Sequence, residues 1–137
     1  MALDGYVYIV DVNGAAIYNG FTIDSTDTVR FHIEKVVDGV KSDYDVSSAA
    51  LTVKFRAQIK GTTTLLINKT LTKISSGTTG IVQDTVKFDS ADWTDGAEAE
   101  CALVLIDTGT ADGDTPSGYA ETELYGRWLA NVRQGLI

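Results

Sequence analysis

The chain has 137 residues, 44% of them hydrophobic, with one proline and one cysteine, a size that suits one domain whose core needs no disulfide or metal staple. Nineteen acids against eleven Lys and Arg give a formal charge of -8, the wrong sign for phosphate backbones or anionic lipid, so neither nucleic acid nor membrane is an expected partner. No apolar run approaches the roughly 20 residues of a membrane helix, and Met1 to Asp4 lead into no secretory leader, so a soluble, uncleaved chain is expected.

Period-2 patterning, abundant Thr, Val and Ile, and thirteen glycines predict an all-β protein. The first unit is Tyr6 to Val12 and Ala15 to Phe21 around Asn13-Gly14, a dipeptide that favours a tight hairpin. Shorter alternations follow at Thr28 to Lys35, Leu65 to Ile74 and Ile81 to Phe88. The clearest strand is Leu51 to Lys60, with Leu51, Val53, Phe55, Ala57 and Ile59 on one face and Thr52, Lys54, Arg56, Gln58 and Lys60 on the other. Ala97 to Ile106 begins as an alternation and then turns apolar on both faces, so its second half must be covered by more chain or by a neighbouring subunit. In the last long segment Thr122, Leu124, Trp128, Ala130 and Val132 face inward, with Leu129 as an apolar exception outside. Turns at Asp38-Gly39, Gly61 to Thr64, Ser75 to Gly80, Asp89 to Gly96 and Asp107 to Gly118 separate these strands. Strands at this spacing predict a sandwich or barrel over 21–137, preceded by a hairpin or arm over 1–20.

Little of this supports chemistry. His32 lies between Phe31 and Ile33 on the solvent side of its strand, with no nucleophile elbow elsewhere in the sequence, so it reads as a surface residue. Cys101 falls on an inward face with no cation to activate it. One Cys and one His cannot complete a four-ligand zinc site, and the acidic loop Asp107 to Asp114 lacks the spacing of a calcium loop, so no metal or other cofactor is expected. The pairs Glu98/Glu100 and Glu121/Glu123 share solvated faces, with nothing to separate their pKa values as a glycosidase requires.

Charge is segregated along the chain. Residues 46–83 carry five basic residues and no acid, whereas residues 84–123 carry eleven acids and only Lys87. Opposite flanks would favour head-to-tail contact between copies through Lys54, Arg56 and Lys60 against Glu98, Glu100, Glu121 and Glu123; solvated strand faces are the plainer reading.

From Phe21 onward the order of features resembles the immunoglobulin-like N-terminal domain of the baseplate upper protein family of tailed phages. The resemblance is carried by Asp27-Thr28-Val29-Arg30-Phe31 at a strand opening, Asp45 to Arg56 leading into the clearest strand, Asp92 to Glu100 leading into the next, and Thr115-Pro116-Ser117-Gly118 before the last. It implies an immunoglobulin-like antiparallel β-sandwich and a structural component of a virion, working through contacts with other virion proteins and copies of itself, with no catalytic residue.

The apolar N-terminal residues Tyr6, Tyr8, Val10, Ile17, Tyr18 and Phe21 exceed what the core needs, and with Val104 and Ile106 they form the expected assembly interface. The alternative is a carbohydrate- or receptor-binding module that uses Trp93, Tyr119 and the acidic loop. A small hydrolase built on His32 is a third and lesser reading.

Overall fold

The computed structural model describes the backbone of residues 5–11 and the whole of residues 20–135 apart from the side chain of Tyr125. These residues form an all-β fold of two five-stranded sheets around one core.

The first sheet is organised by β3 (Thr26–Val37), where Val29, Phe31 and Ile33 alternate inward and are fully buried. β8 (Ile81–Lys87) runs antiparallel to its first half, from Thr26↔Lys87 to His32↔Ile81. Its second half pairs with β4 (Val40–Asp43). The turn between β3 and β4 is Asp38-Gly39, with φ of 51° and 75°; paired positive φ values give the type I′ turn whose twist suits a two-residue hairpin. The opposite edge of β3 takes β1 (Gly5–Asp11), in register from Gly5↔Val37 to Asp11↔Phe31.

β8 and β4 meet end to end along β3 at Ile33. There the Ile33 N–H donates to Gly80 O at 2.8 Å, and Ile33 O accepts from the Tyr44 N–H at 3.0 Å. Gly80 is required at this seam: its φ is +75°, and a Cβ would run into Ile33 O and lie 2.7 Å from Tyr44 O.

The second sheet has the order β2 (Gly20–Thr22), β10 (Tyr119–Arg133), β9 (Glu98–Ala111), β5 (Leu51–Ile59) and β6 (Ile67–Thr70). From β6 the chain passes through buried Leu71, whose N–H donates to Val53 O, into β7 (Thr72–Lys73), which pairs with β8 in the first sheet. The segment expected as one strand over Leu65 to Ile74 is thus two short strands in different sheets. Mid-β10, the register moves from Leu124↔Leu103 to Trp128↔Cys101. Two extra residues preserve the parity of the strand, so Ala130 and Val132 still point into the core. Gly126 lies in this irregularity at φ +79°.

Aromatic rings join the sheets. Phe31 of the first sheet packs on Phe55 and Trp128 of the second, with centroids 6.3 and 5.9 Å away, and Phe21 stacks on Phe88 at 4.3 Å. Such contacts add about 0.5–1.5 kcal/mol each beyond the area they bury.

The hairpin expected over Tyr6 to Phe21 lies largely outside the described residues, which stop at Asp11 and resume at Gly20. β1 pairs with β3, whereas β2 pairs with β10 in the other sheet, and no ladder joins β1 to β2 among the described residues. β1 and β2 each extend a sheet. The Asn13-Gly14 turn itself lies outside the described residues. β2 also runs parallel to β10, so the sheets are not purely antiparallel.

Candidate functional site

The outer face of the second sheet gathers most of the charged residues singled out in the sequence. β9 is flanked by β5 and β10, so basic and acidic segments far apart in sequence become neighbours. Arg56 is 7% exposed and grips Glu121 with two hydrogen bonds, Nη1 to Oε1 at 2.6 Å and Nη2 to Oε2 at 2.9 Å, while its Nε donates to Asn68 Oδ1 at 3.0 Å. Glu121 also accepts from the Ser117 N–H at 3.0 Å, which ties the loop before β10 to the pair. The Arg56 guanidinium is the main cause that pulls the Glu121 carboxyl from 4.5 down to about 2, against the opposing effect of burial.

Further along the face, Arg127 bridges Glu100 at 2.8 Å and Glu123 at 2.9 Å, and these carboxylates raise its pKa. Lys60 lies 3.6 Å from Glu98, and Lys69 lies 3.8 Å from Asp84. Opposed charge flanks are therefore not what the chain forms. Arg56, Lys60, Glu98, Glu100, Glu121 and Glu123 are paired within the molecule, because cross-strand neighbours on one face attract. Lys54, half-buried on β5, sits opposite Val104 in register.

Beneath these pairs lie Ala102, Val104 and Ile106, a second apolar cluster on the outer face of β9. This is the apolar half-strand that needed a cover. Val104 and Ile106 are each 2% exposed in the single chain, so they present no surface to a partner. A cleft of about 300 Å³ opens over Ala102 and Val104, bordered by Arg56, Glu121, Arg127 and Pro116.

The proposed glycan contacts separate. Trp93 is 2% exposed and packs on Phe88 at 4.8 Å. The Asp89 turn holds it there: Asp89 O accepts from the N–H groups of Asp92 and Trp93, and Asp89 Oδ1 from that of Ala91. A ring sealed in the core cannot stack on a sugar, so Trp93 is a core residue. Tyr119 is 39% exposed at the start of β10. Among the assembly residues, Phe21 is buried at 3%; Tyr6, Tyr8 and Val10 are placed by their backbone in β1; Ile17 and Tyr18 lie outside the described residues.

Sequence reasoning missed one cluster. His32 and Glu34 alternate on the half-buried side of β3, and Asp43 pairs with Glu34 across the ladder. His32 Nε2 lies 2.7 Å from Asp43 Oδ1, and one ligand-type atom from each of the three residues falls within 4.8 Å of the others. The i, i+2 spacing of His32 and Glu34 was a visible signal. The third member was not, because β4 is a four-residue strand with no buried face. Cys101 is buried, and burial pushes its thiol up to about 12.

No family model, no curated protein and no solved structure matches the chain.

Proposed function

We propose that this chain is a structural component of a tailed-phage virion, an immunoglobulin-like sandwich that works through contacts with other virion proteins and with copies of itself. The observation that carries the reading is the position of β1. An apolar run, Tyr6 to Val10, forms the terminal strand of the first sheet, and no strand pairs with its outer edge among the described residues. Open strand edges are pairing sites that other chains can extend.

Strand order supports the immunoglobulin-like reading. The series β1-β3-β8-β7 in one sheet and β10-β9-β5 in the other follows the A-B-E-D and G-F-C arrangement of such domains. The segments that carry the sequence resemblance support it too, since they open or lead into β3, β5, β9 and β10.

Sedimentation velocity on the full chain and on a chain lacking residues 1–11 tests the proposal, with circular dichroism reporting the fold. Concentration-dependent association that disappears on truncation is expected. Equal association of two folded proteins, or a full chain that stays monomeric at all concentrations, would overturn it.

A further inference from the structure

We propose that His32, Glu34 and Asp43 form a binding site for a divalent zinc-class cation on the outer face of the first sheet. The argument begins with the backbone. Residues two apart on a strand project from the same face, and residues directly opposite on an antiparallel neighbour share that face. His32 and Glu34 satisfy the first condition, and Glu34 and Asp43 satisfy the second. The site stands beside the seam where β8 gives way to β4. Ile33 bonds to Gly80 on one side of this junction and to Tyr44 on the other, so the backbone on both sides of the triad is fixed.

The donor set selects the ion. One imidazole and two carboxylates suit zinc and its first-row neighbours; calcium and magnesium prefer oxygen alone. Ligand atoms around a tetrahedral zinc at about 2.1 Å stand roughly 3.4 Å apart. The three donor atoms here already lie within 4.8 Å of one another, and the His32–Asp43 contact at 2.7 Å would widen to admit the ion. Side-chain exposures of 22% for His32 and 50% for Asp43 leave a path for the ion and room for water at the remaining coordination position. Three protein ligands and one water differ from the four-ligand structural site that the sequence excludes. Bound there, the ion would clasp β4 to β3 at the register positions where Val10 and Tyr8 of β1 pair with His32 and Glu34.

The test uses untagged full-length protein freed of metal with a chelator. Titration with Zn2+ by calorimetry should give one saturable site, and Co2+ should develop visible absorption bands from a low-symmetry nitrogen and oxygen environment. Zinc should raise the thermal midpoint, because a ligand bound only by the folded chain stabilises it. His32→Ala and the near-isosteric Asp43→Asn should each weaken binding by about tenfold or more. Metal-free melting curves of both variants establish that they are folded. No saturable binding by the wild type, unchanged affinity in folded His32→Ala, or displacement of Zn2+ by equimolar Mg2+ or Ca2+ would each overturn the proposal.

Discussion

Arg56 and Glu121, 65 positions apart, meet in a two-pronged ion pair over the outer apolar face of β9, with side-chain exposures of only 8% and 10%. The pair does two jobs at once: it satisfies two charges and roofs Val104 and Ile106, side chains worth about 1.5–3 kcal/mol each when fully buried. Removing one partner strands the other. Glu121→Ala is therefore expected to cost about 3 kcal/mol in urea unfolding. The double change Arg56→Leu with Glu121→Leu should recover most of that loss; a double variant as unstable as the single one would show that the charges themselves are needed.

Acid should act through the same contact. The folded-state pKa of Glu121 is depressed from 4.5 to about 2, so its contribution is complete above about pH 5 and disappears as pH falls through 4.5 toward 2. Unfolding free energies of the wild type and Glu121→Gln should converge across that interval. A gap that stays constant from pH 6 to pH 3 would assign the acid sensitivity to other groups.

Trp93→Ala should destabilise the fold by about 3–5 kcal/mol, the usual cost of emptying a large aromatic site. If Trp93 were instead a sugar platform, the variant would melt normally and lose glycan binding.

Gly80→Ala should prove as damaging as a core mutation although it adds one methyl group, because both the positive φ and the two carbonyl oxygens oppose a Cβ. Chemical shifts of Ile33 and Tyr44 would report the opened seam. Wild-type stability in this variant would mean that β8 and β4 can separate at no cost.

Cys101 should resist alkylation in the native protein at pH 8, since burial and the nearby Glu100 charge hold its thiol near 12. Labelling should track global unfolding in denaturant. Rapid modification without unfolding would reveal local opening of β9.

Facing was legible in the sequence and adjacency was not. Alternation placed Val53, Phe55 and Ala57 inward on β5, and Leu124, Ala130 and Val132 inward on β10, as the structure has them. The doubly apolar stretch of β9 also signalled a covered outer face. Period-2 patterning, however, says nothing about which strands become neighbours, so the pairing of Arg56 with Glu121 and of His32 with Asp43 was hidden. The segregation of charge along the chain pointed to separate flanks, because linear distance hides the return of β9 and β10 beside β5. The turn signal Asp38-Gly39 was legible too, and it forms a two-residue hairpin between β3 and β4.

The pairing of β2 with the far end of β10 has a kinetic corollary. Gly20 finds its partner at Asn131, so the second sheet cannot be completed on the ribosome until nearly all of the described chain has been synthesised. Loop closure over such a span carries a large entropic cost, and topologies rich in such pairings fold on slow timescales. Phe21 can reach Phe55 and Phe88 earlier, so the aromatic core is in place before its sheet is closed.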